Sequence, residues 1–275
     1  MRVLYTTDLH GNERYYKYLE EVALRENVDV VINGGDLYPG ISKGGQKNFL
    51  NEFFRKHLNL FDTKRIYYLA FPGNYDLKIL DPLFDGICGE FEFAVNLNYR
   101  KIRINEFDFI GMNLVPDYPF RLKDRCRMDT RDFEFPPQHG SAIFSTEGEF
   151  EEMSSEEWFE YARQLPTLKE ELEKLPQMDD PQKTIYVIHM PPANLGLDVC
   201  YGNRKVGSVA IYEFIKEMQP LLTLHGHIHE SPQVSGVWKA KLGRTTCIQP
   251  GQEDKLTYVL INLEDSELEV SRGKV

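Results

Sequence analysis

Short apolar runs that stop abruptly at a polar residue alternate along this chain with stretches that are apolar every third or fourth position. RVLYTT, residues 2–7, is extended and apolar. NERYYKYLEEVALREN follows with helical spacing, and Asn12 stands where a cap is needed. DVVINGG is a short buried strand running into Asp36, QKNFLNEFFRKHLNLF is amphipathic, and RIYYLAF is a third strand that closes at Pro72-Gly73. Strand and helix in alternation predict crossover connections and a parallel sheet. The pattern then changes. CGEFEFAVNL and KIRINEFDFIGMNLV read as antiparallel strands, and residues from Pro116 to Ser155 lose periodicity. A loop this long inside a compact domain, with several aromatics, is expected to be an ordered lid. SSEEWFEYARQLPTLKEELEKL predicts a helix with Ser155 as its cap. TIYVIH and LLTLHGH predict buried strands around the helix VGSVAIYEFIKEM, and the tail from Gln233 is rich in strands and turns. The reading is α/β, one domain over residues 1–275 with an insertion at about 116–155.

The residues that end these strands share one chemistry. The first strand runs into Asp8 and His10, the second into Asp36 and the third into Asn74. TIYVIH ends in His189, and LLTLHGH runs into His227 and His229. Ligands of parallel sheets bind outside the carboxyl ends of the strands. The imidazoles, carboxylates and amide gathered there suit a hard-to-borderline divalent cation. Each fragment alone is weak, and the signal lies in the ordered series DLH, GGD, GNYD, IHMPP and GHIH.

That series resembles the calcineurin-like metallophosphoesterase superfamily, whose motifs are D-x-H, G-D, G-N-H-[DE], H and G-H-x-H. The GHIHES ending is most similar to its Icc-like branch of cytoplasmic phosphoesterases. The resemblance implies a four-layer α-β-β-α sandwich, two mixed sheets flanked by helices, with two divalent metal ions at the sheet edge. Asp8, His10 and His229 would then hold the first ion, Asn74, His189 and His227 the second, and Asp36 both. Catalytic roles would fall to Asp36, Asn74, Tyr75 and Asp76. It also implies metal-activated hydroxide attacking a phosphate monoester or a small phosphodiester. Such donors accept manganese, iron, zinc or nickel. His225 matches no family ligand and is expected to pack in the strand or to support a ligand. Gly226 is expected to let the chain leave the strand and turn across the site. Tyr75 departs from the family's histidine; a tyrosine hydroxyl is a weak acid at neutral pH, so it is expected to position substrate, favouring good leaving groups.

Composition narrows the substrate and partners. Of 275 residues, 32 are Lys or Arg and 43 Asp or Glu, for a net charge of −11, which argues against nucleic acid and therefore against a nuclease. A small phosphorylated substrate is expected. Four scattered cysteines with no CxxC pair point to reduced thiols and a cytoplasmic setting. No apolar run approaches the ~20 residues that span a bilayer, and the amino terminus does not read as a signal peptide. Two regions are candidates for substrate contact. One is the start of the helix after GNRKVGS, with Arg204, Gly207 and Ser208; Ser208 as a plain helix cap is the alternative. The other is PFRLKDRCR, with Arg121, Lys123, Arg125 and Arg127, and with Tyr118 and Phe120 to stack on a base. Pairing with the acidic run EGEFEE is its alternative. His139 is a further candidate acid, and His57 is expected to sit without a role on a polar helix face. A non-catalytic metal-binding scaffold is the alternative from another class, and all seven filled ligand positions speak against it.

Overall fold

Alternate residues of the strands enter different hydrophobic cores, and this alternation builds the layers. In the computed structural model, which describes residues 1–263 and 268–275, the strands are β1 (Arg2–Thr6), β2 (Val30–Asn33), β3 (Tyr67–Ala70), β4 (Ala94–Asn96), β5 (Lys101–Ile104), β6 (Phe107–Met112), β7 (Val115–Pro116), β8 (Cys126–Arg127), β9 (Ala142–Thr146), β10 (Glu149–Met153), β11 (Thr184–Ile188), β12 (Val199–Cys200), β13 (Arg204–Lys205), β14 (Leu222–Leu224), β15 (Lys239–Leu242), β16 (Thr245–Ile248), β17 (Thr257–Leu263) and β18 (Leu268–Lys274). Two sheets have six strands each, in the orders β18-β17-β1-β2-β3-β4 and β15-β16-β14-β11-β6-β5. Val3, Tyr5, Ile32 and Leu69 of the first sheet meet Phe109, Ile185, Val187 and Leu224 of the second in a core between the sheets. The intervening residues point outward. Leu4, Val31 and Tyr68 pack under the helices α1 (Glu13–Arg25), α3 (Arg55–Thr63), which α2 (Lys43–Asn48) precedes, and α4 (Asp81–Cys88). Ile110, Met112, Tyr186 and Ile188 pack under α5 (Ser155–Gln164), α6 (Leu168–Leu172) and α7 (Val209–Met218). This is the expected four-layer sandwich. Each such side chain contributes roughly 1.5–3 kcal/mol on full burial. A short helix, α8 (Ser231–Ser235), follows β14.

Local signals worked well where they rest on neighbours in sequence. Asn12 caps α1 by accepting from the N–H groups of Arg14 and Tyr15, and α2 and α3 run on through a π-helical turn, Phe49–Phe54, whose aromatics surround Tyr16 and Tyr68. Four expectations need correction. β4 pairs parallel with β3, and β6 pairs antiparallel with β5 but parallel with β11, because the chain crosses between sheets there. The helix after the insertion breaks at Pro166 into α5 and α6, and α5 is capped by Ser154, in a capping box with Glu157, rather than by Ser155. His57 is buried, with Nδ1 2.6 Å from Glu20 and its ring among Tyr16, Phe61 and Tyr68, so its helix face is a core face. Residues 116–155 hold a β9–β10 hairpin and the parallel β7–β8 pair, so the segment is built from regular pieces. No helix among the described residues is long and apolar enough to cross a membrane.

Candidate metal centre

The loops after β1, β2, β3, β11 and β14 converge at one rim and are laced to each other through the backbone. Asp8 N–H donates to Gly35 O at 2.9 Å, His10 N–H to Asp36 O at 2.9 Å, and Gly226 N–H to His189 O at 2.8 Å. These links hold an unusual backbone. Asp8 (φ 58°), His10 (φ 44°), Asp36 (φ 52°) and His227 (φ 66°) all lie in the left-handed region, which costs a non-glycine residue about 1 kcal/mol or more and persists only where surroundings enforce it. Four strained residues in one candidate site point to function rather than to packing.

Gly226 does not act as expected. His227, not Gly226, carries the positive φ. Gly226 is required because a Cβ there would stand 2.1 Å from Thr7 Oγ1 and 2.6 Å from Asp8 Oδ2. Gly73 meets the same constraint, since its Cβ would fall 2.2 Å from Asp36 Oδ1. Both glycines let one loop lie directly against another loop's carboxylate.

All seven predicted ligand residues come together. Asp8, His10, Asp36 and His229 present donor atoms within 4.8 Å of one another, and so do Asp36, His189 and His227. Asp36 belongs to both groups. In the first group, His229 Nε2 lies 3.3 Å from Asp8 Oδ1 and 3.1 Å from His10 Nε2, and His10 Nε2 lies 3.8 Å from Asp36 Oδ2. In the second, His189 Nε2 is 3.5 Å from Asp36 Oδ2 and 2.9 Å from Asn74 Oδ1, and the His189 and His227 rings are 5.3 Å apart. His189 Nδ1 donates to Gly34 O at 2.7 Å, which leaves Nε2 for the site. His227 is oriented by its own N–H, 3.1 Å from each oxygen of Asp8.

Electrostatics fit a cation pair. Burial opposes charge on Asp8 and Asp36, yet neighbouring histidines hold both carboxyls below the usual range. Burial likewise works against charge on His189, but Asp36 and Asp8 override it and push the imidazole up to about 9; Asp8 also raises His229. Burial keeps His10 lowered and pulls His227 down to about 3. Among the described residues, Asp8 and Asp36 form no ion pair with lysine or arginine. Histidines, rather than lysine or arginine, thus face two buried anions at the place where the donor set suits divalent metal.

A second ring of residues fixes the first. Asp76 is buried and accepts from the N–H groups of Leu37 (2.8 Å), Tyr38 (2.8 Å) and Gly73 (2.7 Å), tying the Asp36 loop to the Asn74 loop. Burial and the Asp36 charge push its carboxyl up to about 8. Asp76, expected among the catalytic residues, is here fully buried and spends both oxygens on backbone N–H groups, so it supports the loops rather than meeting substrate. His225 is fully buried, with Nδ1 2.9 Å from both Ile188 O and Met190 O, so it grips the backbone on either side of His189. Tyr75 donates its N–H to Asp36 Oδ1 at 2.8 Å, and its ring meets His10 edge-on at 5.2 Å, in the cavity wall.

The insertion supplies contacts that the sequence concealed. Tyr118 Oη accepts from Asn74 Nδ2 at 3.3 Å and donates to Leu122 O at 2.7 Å, which turns Asn74 Oδ1 toward His189. Lys123 is buried against Asp117 (2.8 Å) and lies over the Tyr118 ring at 4.8 Å. Arg125 is also buried; Nε donates to Gly73 O at 2.7 Å, and its guanidinium pairs with Asp81. Lys123 and Arg125 are thus structural rather than phosphate-gathering. Arg121 is exposed but pairs with Glu152 at 2.8 Å, within the acidic run, and Arg127 turns to Glu171. Ser208 does not meet substrate either. It caps α7 through Ile211 N–H at 3.0 Å, and Asp129 fills that helix end, accepting from Val209 N–H at 2.8 Å and from the Ser208 hydroxyl. Of the residues expected to contact substrate, Arg204, Gly207, Tyr118 and Phe120 line the cavity over the metal rim, as does His139, whereas Ser208, Arg121, Lys123, Arg125 and Arg127 do not.

With this geometry established, comparison with known proteins gives the class. The sequence profile described as calcineurin-like phosphoesterase matches residues 1–231, so the chain belongs to that family of hydrolases acting on ester bonds. No curated protein matches the sequence. Among solved structures, the protein TT1561 of Thermus thermophilus is 17% identical at a TM-score of 0.59, with 98% of this chain and 97% of that one covered. A dimetal phosphatase from Danio rerio (LOC 393393) is 12% identical at 0.53, covering 100% and 96%. GAP50, described as the anchor in the inner membrane complex of Plasmodium, is 13% identical at 0.52, covering 100% and 84%. At these identities the likeness shows the fold.

Proposed function

We propose that the protein hydrolyses small phosphate esters at two divalent cations held by the rim residues. Asp8, His10 and His229 would hold one ion, Asn74, His189 and His227 the other, and Asp36 both. When bound, such a pair lowers the pKa of a water and neutralises charge that builds on phosphate in the transition state. The chain's own residues set the conditions. Asp36 brings the negative charge that lets two cations sit close, while largely neutral donors leave the pair electrophilic. Asp76 and His225 keep the loops rigid, so little reorganisation accompanies reaction. Water oxygen bonds to phosphorus, the bond to the leaving oxygen breaks with its electron pair, and that oxygen takes up the proton water gives up. Tyr75 lies in the cavity wall beside His10, and in this reading its hydroxyl would donate a hydrogen bond to a phosphate oxygen.

The observation carrying this reading is the pair of donor groups that share Asp36. A nuclease reading loses its support because Arg121, Lys123, Arg125 and Arg127 are paired internally. The likeness to a protein described as an anchor keeps a scaffold role in view, but a scaffold has no need of four strained residues around a complete donor set. The test is a panel of mono- and diesters with manganese, iron, zinc or nickel, on wild type and Asp36→Asn. Turnover that depends on metal and falls at least about a thousandfold in the variant is expected. Equal rates in the two proteins would exclude the proposal.

A further inference from the structure

The cavity over the rim has a volume of about 990 Å³, far more than a phosphate fills. One of its walls is a file of rings. From His227 the centroids step to Tyr118 at 5.7 Å, to Phe120 at 5.9 Å and to His139 at 5.4 Å, leading from the metal rim outward. Ile41, Phe133, Met190 and Val206 add further apolar surface. Phe120 is 64% exposed, yet it stands beside a cavity rather than in scattered isolation, and such a placement marks a binding surface. Charge points the same way. Apart from histidines, Arg204 is the one cation among the described residues that line the cavity, whereas Glu134 and Glu230 also face it. Additional phosphates or a polyanionic strand would meet Glu134 and Glu230 with Arg204 as the one cation to offset them among the described lining residues.

We infer that the site takes esters of a single phosphate whose organic group carries a flat ring, and that Phe120 selects it. This rests on the phosphoesterase reading above and goes beyond it by naming the substrate class. A hydrocarbon ring and a nucleobase share the required chemistry, a flat face to lie on Tyr118 and Phe120.

The experiment keeps the leaving group constant and varies the other arm. Diesters of 4-nitrophenol carrying a methyl, 1-naphthyl or thymidine group are compared on manganese-loaded wild type and on Phe120→Ala and Phe120→Trp. The naphthyl ester is expected to exceed the methyl ester by about tenfold or more in kcat/KM, chiefly through KM. Phe120→Ala should collapse that ratio and Phe120→Trp keep it. A thymidine ester faster than the naphthyl one identifies a nucleobase as the ring, and a slower one a hydrocarbon. Equal kcat/KM for methyl and naphthyl esters, or a ratio unmoved in Phe120→Ala, overturns the inference while leaving the phosphoesterase reading intact. Binding of 1-naphthyl phosphonate against methyl phosphonate by calorimetry reads the same preference without turnover. A preference there with no hydrolysis of any ester would sink the enzymatic reading alone, and its absence would sink this one.

Discussion

The floor and the wall of the cavity are built by opposite means. The floor is five strand ends, and each donor follows an apolar run by one to five residues. Its strain is local, in left-handed Asp8, His10, Asp36 and His227, and loops bonded to one another hold it. The wall comes from residues 116–155 and is held largely from afar, since Arg125 reaches Gly73 and Asp81 and Tyr118 reaches Asn74, while Lys123 lies buried on Asp117 within the insertion itself. The contrast shows that the insertion is more than a cover laid over a finished site. It completes the support of the loop that carries Asn74.

If that is so, breaking the wall should damage the floor. The largest effect is expected from Arg125→Ala, which leaves Asp81 unpaired and removes the clamp on Gly73 O. Loss of about 3 kcal/mol in urea unfolding, together with falling activity, is predicted; a change under about 0.5 kcal/mol would separate the two regions. Next comes Tyr118→Phe. Asn74 Nδ2 then loses its acceptor, and one equivalent of metal should be stripped by a competing chelator about tenfold more readily, with stability little altered. Unchanged retention would mean that His189 alone orients Asn74. A smaller effect belongs to Ser208→Ala, expected to cost about 1 kcal/mol of stability through α7 while kcat stays unaltered, because Asp129 and not substrate occupies that helix end. Reduced kcat would restore Ser208 to the substrate site. The smallest is Arg121→Ala, whose exposed pair with Glu152 should matter by no more than about 0.5 kcal/mol in melting and not at all in turnover.

The floor was legible in the sequence because its donors stand next to apolar strands, and strand ends of a parallel sheet converge whatever the loops do. The wall was legible only as an ordered insertion carrying Tyr118 and Phe120; its buried supports were not, for reasons of distance and appearance. Lys123 and Arg125 read as surface cations because their burial depends on Asp117, Asp81 and Gly73, the latter two more than forty residues away. Asp129 gave no hint that it would seat on α7, seventy-nine residues ahead of Ser208. His57 followed the polar spacing of its helix yet faces aromatics contributed by α1 and β3. Left-handed φ at aspartate and histidine has no sequence mark, whereas at Gly226 the glycine was visible and its reason was not. That reason is contact with Asp8 and Thr7 rather than a turn.

Counting metal decides whether two cations share the Asp36 carboxylate. Wild-type protein saturated with manganese and freed of excess should retain two equivalents per chain by elemental analysis, and Asp36→Asn should retain fewer. One equivalent or none in the wild type, or an unaltered two in Asp36→Asn, would rule out a pair of cations sharing Asp36.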